Sequence, residues 1–312
     1  MAAKLVDESK HTRFSDCTSQ PQELLAPIQG YETMPLVSLE EAVNPLIPLV
    51  PEVKRMAWTV KQSHFKGEHG LSDDETASIL LYTMEWEPRE RSFYIIFNNT
   101  LQTANRQLLR PWYLYLRLIM TSLAKLPPDF NRSVVYRGVK LDLSAQYPIG
   151  ETVTWWRFSS CTTSIGVLSN EQFLGQSGTR TLFSIECQSA KSIKEFSYYP
   201  EEEEVLLPPA RQFQVVGCLN QGIGFHIIQL KEIQPEFPLI NPVQLTSDIL
   251  PKTHPQVPPL EPTPPVKPEK DPNLPLPTPP ALPKCENSWI KERINIWFSD
   301  PVIILLQITA SL

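Results

Sequence analysis

Residues 201–209 read EEEEVLLPP, so four consecutive carboxylates run directly into a short apolar segment. An acidic run of this kind is most often a solvated turn. Here it opens a predicted strand, and residues i and i+2 of a strand share one face. Glu202 and Glu204 are therefore predicted to point the same way. Two carboxylates on one face of a cleft can carry out acid–base chemistry or stabilise a cation.

The segments around this stretch predict a β-rich second half of the chain. β-branched and aromatic side chains are typical of strands, and they are concentrated in 134–139, 152–162, 179–187 and 213–233. The residues in front of these segments have helical patterns instead. Helices followed by strands predict an α+β fold rather than alternating βαβ units.

The helical half contains clear start signals. Ser72 and Glu75 fit a capping box, which predicts that a helix begins there and ends before Pro88. A proline suits the first turn of a helix, so Pro111 predicts the start of another one that runs to Leu126. Further helices are predicted over the segments 53–62 and 92–103.

Composition limits the function classes. The chain has 312 residues, of which 41% are hydrophobic, so wholesale disorder is excluded. The net charge of −6 argues against a nucleic-acid binder, which needs concentrated Lys and Arg to neutralise phosphates. Five cysteines without a C-x-x-C pair predict neither a metal site nor a disulfide framework.

Targeting signals are not visible in the sequence. Residues 1–30 contain no apolar core of a signal peptide, and no stretch is long and apolar enough to span a membrane. We therefore expect a cytoplasmic protein. The glycosylation sequons at Asn98 and Asn131 are accordingly expected to stay unmodified.

The composition along the chain predicts four parts. They are a flexible arm over 1–30, a catalytic domain over 31–240 (helical part 39–128, β core 129–240), a proline-rich linker over 251–284 and an apolar tail over 285–312. The linker is predicted to be a semi-rigid spacer, and its PxxP spacings leave open an SH3-like partner. The tail reads as an interaction or surface-anchoring segment.

Two further segments contain residues suited to chemistry. Arg137-Gly138 ends a hydrophobic strand, where an arginine is costly unless it binds an anion or a nearby carboxylate. Residues 158–164 read FSSCTTS, a strand that runs into hydroxyl side chains. Alone, this second segment could be an ordinary Ser/Thr turn.

Taken together and in this order, the three segments resemble the arginine-specific mono-ADP-ribosyltransferases, the R-S-E class that includes eukaryotic ecto-ADP-ribosyltransferases and bacterial toxins. An arginine ends one strand, a serine follows an aromatic residue on the next, and an E-x-E pattern opens a later one. The likeness covers about 134–233, and the helices before it are similar to the family's N-terminal part. It implies an ADP-ribosyltransferase-like fold, with a helical subdomain followed by a core of two packed β-sheets.

The resemblance also implies roles for individual residues. Arg137 corresponds to the arginine that holds the NAD phosphates, and Gly138 to the backbone that contacts nicotinamide. Ser160 corresponds to the serine that orients the catalytic glutamate, which is Glu204. One departure is Cys161, which replaces a hydroxyl residue of the family's motif.

The remaining implied roles concern the acceptor. Glu202 is the upstream member of E-x-E, which in the family accompanies arginine as acceptor. Tyr198 and Tyr199 look like the acceptor-recognition loop. The implied reaction transfers ADP-ribose from NAD, or alternatively NADP, to a protein arginine, with no prosthetic group and no metal. Two alternatives stay open, namely an NAD glycohydrolase with little transferase activity and a catalytically inactive NAD-binding or scaffold module.

Overall fold

The structure is a computed structural model that describes residues 24–63, 68–127, 134–171 and 173–245. Most of the predicted arm, Asn131, the proline-rich linker and the apolar tail lie outside the described residues. The described part begins with helices and continues with strands, so the predicted α+β order is confirmed. None of its helices is long and apolar enough to cross a membrane.

The first part of the described chain is helical. It contains α1 (Leu39–Val43), α2 (Val53–Lys61), α3 (Asp73–Thr83), α4 (Phe93–Leu101) and α5 (Tyr113–Lys125). The capping box at the start of α3 is confirmed, because the Ser72 and Glu75 side chains each bond the other's backbone N–H. The helix predicted from Pro111 begins two residues later, since a 3-10 helix, Arg106–Trp112, comes first.

The second part forms the sheet. Its strands are β1 (Val134–Val139), β2 (Thr152–Trp155), β3 (Ser159–Thr162), β4 (Arg180–Glu186), β5 (Lys191–Ser192), β6 (Glu204–Leu207), β7 (Arg211–Asn220) and β8 (Phe225–Ile233). Their order is β2-β7-β8-β4-β1-β3-β6-β5. All pairs are antiparallel except β4 with β8, which is parallel.

The two packed sheets that the sequence predicts are two halves of one continuous eight-stranded sheet among the described residues. Strands β2-β7-β8-β4-β1 form one half and β3-β6-β5 the other. The halves are joined by one residue pair, Tyr136 with Thr162. Their facing side chains share one buried cluster, which includes Val135, Phe183, Val205 and Phe213. A second cluster joins the helices to the other face of the smaller half through Phe158 and Leu206.

The long strand predicted over 152–162 is wrong. It is two strands, because β2 pairs with β7 whereas β3 pairs with β6. Side chains from the helical part hold the connection between them. Asn98 accepts the backbone N–H of Phe158 at 3.1 Å, and Arg157 donates to Gln102 at 2.7 Å. These tertiary bonds move the chain from one half of the sheet to the other.

The segment 213–233, predicted to be rich in strand structure, contains two strands, β7 and β8. The chain turns between β7 and β8 at Gly222 and Gly224, which have φ of 79° and 69°. Glycine adopts these left-handed conformations at little cost. At the other end of the chain, the boundary predicted for the flexible arm is too late. Ile28 is buried, and its backbone pairs with the segment at Ile240.

Candidate active site

The predicted arginine lies on the last strand of the larger half of the sheet, next to the smaller half. Arg137 belongs to β1, which pairs with β4 on one side and β3 on the other. Its side chain is buried and donates from Nη1 to the carbonyl oxygen of Ser160 at 2.7 Å. Its Nε is also buried and has no hydrogen-bond partner in the described part of the chain. One edge of a guanidinium is thus fixed, while another donor remains to be satisfied.

The serine motif lies on β3, directly beside the strand that begins with Glu204. Thr162 pairs with Glu204, and Ser160 pairs with Leu206. Side chains alternate along a strand, so Ser160 and Thr162 lie on one face together with Glu204. All three are buried. The sequence prediction that the serine and the glutamate belong to one site is consistent with this register.

The cysteine that departs from the family motif lies on the opposite face. Cys161 is completely buried in the apolar cluster between the two halves of the sheet, together with Val205 and Leu207. A cysteine in such surroundings acts as a small hydrophobic residue. The replacement therefore changes the packing of the core and leaves the face with Ser160 unaltered.

The acidic run does not form one straight strand. Residues Pro200–Glu202 form a 3-10 turn, and Glu203 has a left-handed conformation with φ of 49°. The prediction that Glu202 and Glu204 share a strand face is therefore wrong, because β6 begins only at Glu204. Both side chains are nevertheless buried, whereas Glu201 is exposed. Glu203 is half-buried and forms an ion pair with Lys194 at 3.0 Å.

The two tyrosines predicted to recognise the acceptor lie on the turn before this run. Tyr198 is 49% exposed, and its ring contacts that of Tyr199 with centroids 5.2 Å apart. The backbone N–H of Tyr198 donates to Oγ1 of Thr83 at 2.9 Å, at the end of α3. The turn is thereby attached to the helical part, with one aromatic side chain open to a partner.

Two residues of this turn's hydrogen-bond network were not predicted from the sequence. Ser197 donates from Oγ to Oε2 of Glu204 at 3.0 Å, and Thr83 is the acceptor for Tyr198. The signal that could have found Ser197 is its place, directly before the two predicted recognition tyrosines. Hydroxyl residues in turns are common, however, and that signal is weak.

Gly138 follows the arginine and lies beneath the loop after β3. A Cβ atom at this position would be 2.6 Å from Cβ of Leu174 and 3.3 Å from its Cα. Glycine is therefore required for packing against this loop. Its predicted contact with nicotinamide stays a prediction. No group of three potential metal ligands occurs among the residues that the structure covers.

The comparisons with known proteins agree on one family. Residues 34–236 match the family model described as NAD:arginine ADP-ribosyltransferase. The chain is 32% identical over 169 residues to the erythroblast NAD(P)(+)--arginine ADP-ribosyltransferase of Gallus gallus, covering 52% of each protein. It is 31% identical over 191 residues to the GPI-linked NAD(P)(+)--arginine ADP-ribosyltransferase 1 of Mus musculus, covering 58% of this chain and 54% of that protein. The chain thus spans about half the length of these curated relatives.

Solved structures are similar as well. The ADP-ribosyltransferase Vis in complex with agmatine has a TM-score of 0.42 and 19% identity, covering 65% of this chain and 90% of that chain. The Vis toxin is from Vibrio splendidus. The eukaryotic mono-ADP-ribosyltransferase ART2.2 has a TM-score of 0.40 and 21% identity, covering 64% and 85% of the respective chains.

Proposed function

This chain belongs to the NAD:arginine ADP-ribosyltransferase family, and from that premise we propose that it transfers ADP-ribose from NAD to a protein arginine, releasing nicotinamide. The observation that supports the proposal most is the arrangement of the three motifs on neighbouring strands. Arg137 on β1 bonds the backbone of Ser160 on β3, and β3 pairs with the strand that Glu204 begins. Residues that are far apart in the sequence thus lie on neighbouring strands, which supports their assignment to one site.

Glu204 stabilises the transition state in this proposal. Breaking the bond between nicotinamide and C1′ of the ribose leaves positive charge on the sugar, as in an oxocarbenium ion. A fixed carboxylate stabilises such charge most where water is excluded, and Glu204 is completely buried. The bond electrons leave with nicotinamide, which departs as a neutral molecule.

Arg137 acts on NAD, and Glu202 acts on the acceptor arginine. The guanidinium of Arg137 binds the pyrophosphate through the donors that Ser160 does not use, since a planar fork suits phosphate oxygens. Glu202 orients the acceptor guanidinium and receives a proton as its nitrogen attacks C1′. An arginine side chain is otherwise fully protonated and a poor nucleophile. The exposed ring of Tyr198, with Tyr199, contacts the acceptor.

The test is nicotinamide release from NAD by the purified full chain, with and without agmatine as a small guanidino acceptor. We expect agmatine to raise release by the wild type. Glu204→Gln should lower kcat by about 100-fold or more, the usual effect of removing a main electrostatic stabiliser. Glu201→Gln is the matched control, because this exposed carboxylate belongs to the same run and should leave release unchanged.

Glu202→Gln separates the transferase from an NAD glycohydrolase. If Glu202 serves only the acceptor, this variant keeps the release seen without agmatine and loses the agmatine-dependent part. Release by the wild type that ignores agmatine would favour the glycohydrolase. A folded wild type that binds NAD and releases no nicotinamide would overturn the proposal in favour of a binding module.

Residues 251–312 have no catalytic role in this proposal. The proline-rich linker acts as a spacer or binds an SH3-like partner. The apolar tail binds a partner or anchors the chain to a surface. A chain that ends at residue 250 should then release nicotinamide as fast as the full chain. A loss of turnover in a folded, truncated protein would contradict this division of labour.

A further inference from the structure

A buried serine, Ser197, lies in the turn that contains Tyr198 and Tyr199, and it bonds directly to the proposed catalytic carboxylate of Glu204. Ser197 is 6% exposed and lies between a 3-10 helix, Lys194–Phe196, and Tyr198. Its Oγ lies 3.0 Å from Oε2 of Glu204. The same Oγ accepts the backbone N–H of Tyr199 at 3.2 Å. One hydroxyl group therefore joins the turn to the first residue of β6.

The direction of these two bonds is fixed by the donors available. A hydroxyl group has one hydrogen and two lone pairs. The N–H of Tyr199 can only donate, so Ser197 must accept from it. The single hydrogen of Ser197 is then directed to the carboxylate of Glu204, which can only accept when it is ionised. A hydrogen bond to a charged group is roughly twice as strong as one between neutral groups.

A carboxylate in this position needs such an orienting partner. The last torsion of a glutamate side chain is broad and has no sharp staggered minima. Burial of Glu204 restricts where the carboxylate lies, whereas a directed donor fixes the plane of its oxygens. Catalytic geometry is sensitive at this level, since a displacement of about 1 Å can cost about 100-fold in rate.

The turn itself is held from a second side. The neighbouring N–H group, that of Tyr198, donates to Oγ1 of Thr83 at 2.9 Å. Thr83 in turn donates to the carbonyl oxygen of Leu80 at 3.1 Å, in the last turn of α3. Two consecutive N–H groups of the turn thus donate to hydroxyl oxygens, one from Thr83 in α3 and one from Ser197 in the turn itself. The position of the exposed Tyr198 is thereby coupled to the hydroxyl that bonds Glu204.

We propose that Ser197 is a positioning residue, which orients the carboxylate of Glu204 and couples it to the turn that contacts the acceptor. The inference rests on the proposed function, because it assigns Glu204 the role given above. Ser197 touches neither NAD nor the acceptor in this account. Its removal should therefore lower kcat and leave KM for NAD within about twofold.

The experiment measures nicotinamide release by four variants of the full chain. Ser197→Ala should lower kcat by about tenfold or more. Ser197→Thr keeps the donor and should retain most of the rate, while Ser197→Cys provides a weaker donor of similar size and should be intermediate. Ser189→Ala is the matched control, since Oγ of Ser189 is buried without a hydrogen-bond partner in the described residues. It should behave as the wild type.

The pattern across these variants decides the inference. A folded Ser197→Ala protein with an unchanged kcat overturns it, as does a loss of rate that Ser197→Thr fails to restore while its melting temperature is normal. A rise in KM for NAD at constant kcat also overturns it, because that result would mean a role in binding.

A second measurement separates this inference from the proposed function. In denaturant unfolding, Ser197→Ala should destabilise the wild type but have little further effect in the Glu204→Ala background, because the bond is already lost. If the wild type releases no nicotinamide, the proposed function fails, and additive effects in this cycle would refute the contact as well. If the wild type is active and the two effects are additive, the positioning role alone fails.

Discussion

Asn98 lies in the helical part but holds the strand that contains Ser160, so replacing it should weaken both stability and activity. The side chain is 3% exposed. Its Oδ1 accepts the backbone N–H of Phe158 at 3.1 Å, and its Nδ2 donates to the hydroxyl of Tyr82 at 3.1 Å. Asn98→Ala removes both hydrogen bonds and leaves the buried N–H of Phe158 without its acceptor.

The expected cost follows from these contacts. A buried donor that loses its partner costs about 1–3 kcal/mol, and an ordinary hydrogen bond contributes about 1 kcal/mol. The two terms together give a destabilisation of about 2–4 kcal/mol for Asn98→Ala. Because β3 starts at the residue after Phe158, the loosened strand should also lower the rate of nicotinamide release.

Chemical denaturation followed by tryptophan fluorescence measures the change in unfolding free energy. Asn44→Ala is the control, because Asn44 is an exposed asparagine that also lies in the helical part. It should cost less than about 1 kcal/mol, as solvent-exposed contacts do. Equal losses for the two variants, or an Asn98→Ala loss below 1 kcal/mol, would refute the assignment of Asn98 as the support of β3.

Three further outcomes are expected. Gly138→Ala should destabilise the protein by about 1–3 kcal/mol through the clash with Leu174, whereas Gly166→Ala, whose Cβ would be 3.7 Å from the nearest atom, should cost nothing in the same unfolding experiment. Ser72→Ala should cost about 1 kcal/mol by removing the cap of α3, and an unchanged unfolding midpoint would contradict that. Burial raises the pKa of Cys187 to about 12. The stabilisation of the folded state by the buried neutral thiol is complete below the pKa of the unfolded thiol, near 8.5. It is lost as pH rises from there towards 12. Stability of the wild type should thus fall more steeply with pH in that window than that of Cys187→Ala, by up to about 1.4 kcal/mol per pH unit, and parallel curves would count against it.

The helices could be predicted from the sequence because their signals are local. The capping box at Ser72 and the apolar spacing after it lie within one or two turns, and tertiary contacts do not override them. The α+β order follows from the same kind of reading, applied to β-branched and aromatic runs. The three motifs could be found because their order along the chain resembles that of the R-S-E class, although the hydroxyl-rich segment alone could be an ordinary turn.

The division of the 152–162 segment could not be predicted in the same way. Its residues all favour strands, and the break is imposed by Asn98 and Gln102, which lie more than fifty positions earlier. Likewise, the turn at Glu203 depends on a left-handed conformation that glutamate seldom adopts. No residue type in the acidic run indicates this turn, so the sequence pattern predicts one continuous strand from Glu202 onward.

Some features of the candidate site could be predicted from the sequence, and others could not. Strand alternation alone places Cys161 on the face opposite Ser160, so the departure from the family motif could have been assigned to the core. Thr83 and Ser197 differ, because Thr83 ends α3, 115 residues before Tyr198, and Ser197 bonds a carboxylate on another strand. Contacts of this kind require the folded chain.

The position of β8 governs when the site can form during synthesis. This strand is the last in the described chain, yet it lies inside the sheet, between β7 and β4. Strand β4 in turn supports β1, which holds Arg137. A nascent chain that has reached Glu204 therefore contains every motif residue but lacks the strand that joins β7 and β2 to the rest of the sheet. Pairings over such long sequence separations form slowly. We therefore expect the sheet to close only after Ile233 has left the ribosome, so that the edges of β4 and β7 that pair with β8 stay unpaired until then.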